Sequence, residues 1–112
     1  MATQIKFSEI FNVLKTDIAS LSEKTVKNYI SDAKKDGQGI LDLLKDDLER
    51  WTKLLANGEL TTSDFEWLVN SEKASIKMAA LEQAGLAAIR LDQFKNSVLN
   101  LIVDTIFHSL KI

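Results

Sequence analysis

The chain contains no cysteine, no proline and only four glycines among its 112 residues. Without cysteine there is no disulfide, no thiolate nucleophile and no Cys-ligated metal. The absence fits a reducing compartment, and the expectation is a cytoplasmic protein. Without proline, and with glycine only at 37, 39, 58 and 85, the chain has few places to turn. A dominant charge is lacking too. The net charge is −2, with Lys and Arg interleaved among Asp and Glu. Phosphate binding needs a clustered basic surface, so no nucleic-acid partner is expected. No run is apolar for long enough to span a bilayer, because Asn100 and Asp104 interrupt the most hydrophobic one. The lead Met1-Ala2-Thr3-Gln4 passes straight into an amphipathic stretch, unlike a secretory leader. After Arg90 the only basic residues are Lys95 and Lys111. They are too few for the Lys/Arg-rich face of a helix lying on lipid, so membrane association is not expected.

What is present is helical pattern. Hydrophobic residues make up 46% and charged residues 27%, which suits one folded all-α domain over residues 1–112. The clearest landmark is Leu55-Ala56-Asn57-Gly58-Glu59-Leu60-Thr61-Thr62-Ser63-Asp64-Phe65. Gly58 is placed to end one helix in the left-handed conformation. Thr61 is placed to cap the next, with Asp64 completing a capping box and Leu60 stapling onto Phe65. The expected fold is therefore a long antiparallel helical hairpin with its turn near residues 57–61.

Upstream of the turn, Val26, Ile30, Ala33, Gly37, Ile40, Leu44, Leu48, Trp51 and Leu55 follow steps of three or four, which is one helix face. The stripe passes through Gly37 without a slip, so Gly37 and Gly39 are expected inside the helix; a break there is the competing reading. Phe7, Ile10, Leu14, Ile18 and Leu21 form a further stripe that joins at a step of five. Either a short N-terminal helix bends away near residues 20–24, capped by Ser20 or Ser22, or one helix absorbs a stutter. Downstream, Ala74, Met78, Leu81, Ala84, Ala88, Leu91, Val98, Ile102, Ile106 and Leu110 continue one face without interruption. They predict a single helix from Thr62 to Leu110, about 48 residues and roughly 70 Å long, as in a coiled coil or bundle. Folding about residue 60 would set Gly37 opposite Ala84 and Gly85, where small residues on both sides permit close approach.

The segment 98–112 is apolar around most of its circumference, so it must be buried on several sides. Two arrangements complete a four-helix bundle: homodimerisation, or an N-terminal helix folded back beside the hairpin. The candidate interaction surface is Phe7, Ile10, Leu14, Val98, Ile102, Ile106, Phe107 and Leu110, offered to a second copy or to another helical protein.

Chemical motifs are sparse. Gly58 resembles the centre of a calcium loop, but Lys53 and Leu55 stand where oxygen ligands are required. Asp42, Asp46, Asp47 and Glu49 are interleaved with Lys45, Arg50 and Lys53. Asp46–Arg50 and Glu49–Lys53 have helical ion-pair spacing, so the cluster reads as a solvated face. The bundle-type di-iron motif of Glu-x-x-His is missing. His108, with Asp104 one turn before it, lacks the other members of a catalytic constellation and suits a helix C-terminus. Trp51 and Trp67 flank the turn; the reading taken is that both seal the hairpin tip, with a binding anchor as the alternative. No catalytic, cofactor or metal residue is assigned.

The outline resembles the small secreted helical-hairpin proteins with a Trp-X-Gly turn. Here the turn reads Leu55-Ala56-Asn57-Gly58, so the likeness is one of shape and carries no function. The functional expectation is a non-enzymatic scaffold or chaperone-like protein acting as a homodimer. The alternative is a carrier of a small apolar, lipid-like ligand held between the helices.

Overall fold

The computed structural model describes residues 6–112. The lead Met1–Gln4, used above against a leader, lies outside them. All regular structure among the described residues is helical. The helices are α1 (Phe7–Thr25), α2 (Ile30–Ala56), α3 (Thr62–Ser71), α4 (Ala79–Gln83) and α5 (Ala88–Leu110), with single 3₁₀ turns at Lys27–Tyr29 and Glu72–Ser75.

The turn at residues 57–61 forms as its sequence predicts. Gly58 has φ +76°. The Glu59 N–H donates to Leu54 O (2.9 Å) and the Gly58 N–H to Leu55 O (3.2 Å), the paired bonds of a Schellman motif. The Asp64 N–H donates to Thr61 Oγ1 (3.0 Å), and the Thr61 N–H returns a longer bond to Asp64 Oδ2 (3.5 Å). Gly37 and Gly39 both lie within α2, as the unbroken stripe predicts.

The N-terminal helix folds back. Helix α1 runs antiparallel to α2, and the register is written in side chains. Gln38 Nε2 donates to Lys15 O (3.3 Å), and Lys34 pairs with Glu23 (3.2 Å). Lys15 and Lys45 lie 5.1 and 5.3 Å from the Phe11 ring centre, within cation–π range. The reversal falls at residues 26–29, not at 20–24. Ser22 does not cap a new helix: it is buried inside α1, where its hydroxyl donates to Ile18 O (2.9 Å). Gly37 does make a close approach, but its partner is Ile18 of α1, whose Cγ2 a Cβ at position 37 would strike. The expected pairing of Gly37 with Ala84 and Gly85 does not form.

The long second helix is not continuous. From Thr62 the chain ascends α3, breaks over residues 72–78, forms the short α4, turns again at 84–87 and descends α5. The descent is fixed by the Lys73–Asp92 ion pair (3.0 Å) and by Phe65 against Phe107 (ring centres 5.6 Å apart). The longest dimension is 50 Å, too short for a helix of roughly 70 Å. Two causes override the periodicity. Gly85 takes φ +93°, and Leu86 N–H to Leu81 O with Gly85 N–H to Glu82 O (both 3.1 Å) repeat the Schellman pattern seen at Gly58. Tertiary partners also accept the loose ends. Lys95 Nζ donates to Lys73 O (3.2 Å) and Ile76 O (2.9 Å), while the N–H groups of Ala80 and Leu81 donate to the Asp36 carboxylate (3.1 and 2.7 Å). Ala74, Ala84 and Ala88, placed on the expected core face, are exposed.

One core joins all five helices through Leu14, Ile18, Leu44, Leu48, Phe65, Leu81, Leu99 and Ile102. Helix α5 packs on α1, α2, α3 and α4. That is why its sequence is apolar around so much of its circumference.

Candidate functional site

The residues expected to offer an interaction surface lie inside the chain's own core. Phe7, Ile10, Leu14, Val98, Ile102 and Ile106 are all buried, and Phe107 and Leu110 are half-buried against them. They are brought together, α1 against α5, with Thr105 Oγ1 donating to Asp17 Oδ2 (3.0 Å) across the same seam. The folded-back α1 covers the apolar positions of α5 within the one chain.

The motifs with a chemical reading sit in ordinary settings. Arg50 pairs with Asp47 (2.8 Å, one turn away), not with Asp46 as the spacing suggested, and Lys53 pairs with Glu49 (3.5 Å). Among the described residues, no three His, Cys, Asp or Glu side chains gather closely enough to hold a metal ion. Among the described residues, no helix is long and apolar enough to cross a membrane. His108 is exposed on the last turn of α5, and its carbonyl accepts from the Lys111 N–H (3.1 Å).

The two tryptophans part company. Trp51 is 7% exposed and belongs to the α2 core stripe, whereas Trp67 is 69% exposed. The joint role at the hairpin tip therefore does not hold for Trp67. The cause is helical phase. Phe65 and Val69, four apart, are fully buried and fix the inner face of α3. Trp67 lies midway between them, about 200° around the helix from Phe65, and must point outward. Phe65 against Phe107 and the capping box at Thr61 hold α3 in that rotation. Around the indole the exposed positions are Ser63, Asp64, Glu66, Asn70 and Ser71. The site is thus one large aromatic side chain on a rigid helix, ringed by polar and acidic residues. Sequence reasoning had the signal for it: Trp67 is out of phase with Phe65 and Val69. The nearness of both tryptophans to the turn outweighed that phase.

Shallow grooves also mark the surface of the described residues, three of them beside α2, α4 and α5. One of about 510 Å³ lies between α2 and α4, lined by Asp32, Lys35, Asp36, Ala80, Gln83 and Ala84, among others. Two of about 260 Å³ flank α5, one beside Met78 and Glu82 and the other beside Val26 and Arg90. All three carry charged or amide side chains in their walls, unlike the mainly apolar clefts that enclose small ligands.

No family model, no curated protein and no solved structure matches the chain.

Proposed function

We propose that the chain is a non-enzymatic helical scaffold that works by presenting Trp67 to a helical partner, in the first place a second copy of itself. The supporting fold is read as an up-and-down four-helix bundle complete within one chain. Helices α1, α2 and α5 form three of its members, and α3 with α4 forms the interrupted fourth. The observation that carries the proposal is the 69% exposure of Trp67 on a helix otherwise polar on its outer face. Tryptophan is enriched among the few residues that dominate binding energy. Its two-torsion side chain loses little entropy when covered. A polar ring around a central aromatic is the arrangement of an interface centre with its rim. No specific observation favours the carrier of an apolar ligand.

The test is solution mass by light scattering over a dilution series, for the unaltered chain and for Trp67→Ala. The expected result is a dimer whose dissociation constant rises about tenfold or more in the variant, as for a truncated anchor residue. A monomer at every concentration overturns self-association, and a dimer indifferent to Trp67→Ala overturns the assigned anchor.

A further inference from the structure

We infer that residues 76–87, carrying α4, form a strap that opens as one unit while α1, α2 and α5 stay packed, with Asp36 and Lys95 as its two latches. Four observations converge on this segment. Its helix has five residues, well below the length that holds itself together in water. Its ends are non-helical on both sides, with Met78 at φ −115° and Gly85 at φ +93°. Its flanks are open, with the 510 Å³ groove on the α2 side and a 260 Å³ groove on the α5 side. Its outer surface is free, since Ala79, Glu82, Gln83, Ala84 and Ala87 are all exposed.

What holds the strap is correspondingly concentrated. Ile76, Met78, Leu81 and Leu86 point into the core. Where the strap begins, the Lys95 ammonium binds the carbonyls of Lys73 and Ile76; in the first turn of α4, both Asp36 oxygens accept the N–H groups of Ala80 and Leu81. Hydrogen bonds to charged groups are the stronger ones, and Asp36 is itself buried. Opening breaks both sets and uncovers four apolar side chains. It leaves the α1–α2 and α1–α5 seams untouched, because no bond across those seams involves residues 76–87. Segments with few internal ties and open flanks are where local opening concentrates.

The test is native-state amide hydrogen exchange on the full chain. The reporters are the amides of Ala84, Gly85 and Leu86, which donate only within the strap, to Ala80, Glu82 and Leu81. In the unaltered protein they should exchange faster than the amides in the middle of α2. Asp36→Ala and Lys95→Met, which act at separate points of its N-terminal half, should each speed all three reporters by about tenfold or more, with α2 little changed. Asp36→Asn, which keeps an accepting oxygen, should fall between. If Asp36→Ala fails to fold, Lys95→Met and the unaltered chain still decide the matter. Reporters that exchange as slowly as α2 and move only with it would overturn the strap. So would variants that speed only the amides nearest the altered residue.

Discussion

Two glycines of α2, two residues apart, should respond with opposite sign to the same substitution. Gly39 is exposed, and a Cβ there meets nothing within 4 Å. Replacing it by alanine removes backbone freedom from the unfolded chain and improves helix propensity, a gain of roughly 0.5–1 kcal/mol. Gly37 receives the same gain, but its Cβ would strike Cγ2 of Ile18. Ile18 is fully buried, and its β-branched side chain is stiff about χ1, so it cannot swing aside. Overpacking of this kind costs about 1–3 kcal/mol, leaving Gly37→Ala a net loss of up to about 2.5 kcal/mol, and near 1 kcal/mol at the middle of the range, after the helix gain. At about 4 °C per kcal/mol for a chain of this size, Gly39→Ala should raise the melting temperature by roughly 2–4 °C. Gly37→Ala should lower it, by about 5 °C at the middle of the overpacking range. Gly37→Leu should lower it further, since the larger side chain must force α1 away. The assay is thermal denaturation followed by circular dichroism at 222 nm, with urea titration as a check. Equal stabilisation by both alanines would refute the reasoning, because it would mean that α1 does not lie against α2 at Gly37.

Two further substitutions probe other parts of the fold. Thr61→Ala removes the side-chain cap of α3, and urea titration should show a loss of about 1 kcal/mol; no loss would mean that the capping box contributes nothing to holding Trp67 outward. Thr52 is fully buried and its hydroxyl has no hydrogen-bond partner among the described residues. Thr52→Val should therefore stabilise by about 1 kcal/mol or more, and a destabilised variant would reveal a partner for that hydroxyl.

The local signals were legible and the long-range ones were not. Asn57-Gly58 and Thr61-x-x-Asp64 announced their turn because the bonds that make it lie within a few residues of one another. The Ile30–Ala56 helix was legible through its period despite Gly37 and Gly39. The break in the second half was not, because half of its cause lies elsewhere in the chain. Asp36 and Lys95 satisfy the ends of residues 72–81 from other helices, and nothing in the local sequence marks them as partners. The other half was readable: Gly85 after Ala84 has the same role as Gly58 after Asn57, but the apolar period running past it masked the stop. Close approach at Gly37 was inferred correctly in kind, yet assigned to the wrong helix, because the register was counted from residue 60 alone. Counting from the reversal at residues 26–29 puts Gly37 beside Ile18. What covers the apolar face of α5 was not legible for a related reason. A helix apolar on several sides asks for cover, and sequence alone does not say whose.

Carbodiimide cross-linking of a chain folded at high dilution, read by peptide mass spectrometry, tests the central claim that α1 and α5 double back within one molecule. Lys73 and Asp92 stand 3.0 Å apart, and Lys34 and Glu23 3.2 Å. In a continuous helix from Thr62 to Leu110, Lys73 and Asp92 would be roughly 28 Å apart along the axis. Mixing isotopically light and heavy chains before folding separates links within a molecule from links between two. The account predicts both the 73–92 and 23–34 links within single chains of monomer mass. Absence of the 73–92 link, with the local Lys53–Glu49 link still formed, would contradict it, as would links joining light chains to heavy ones at these positions.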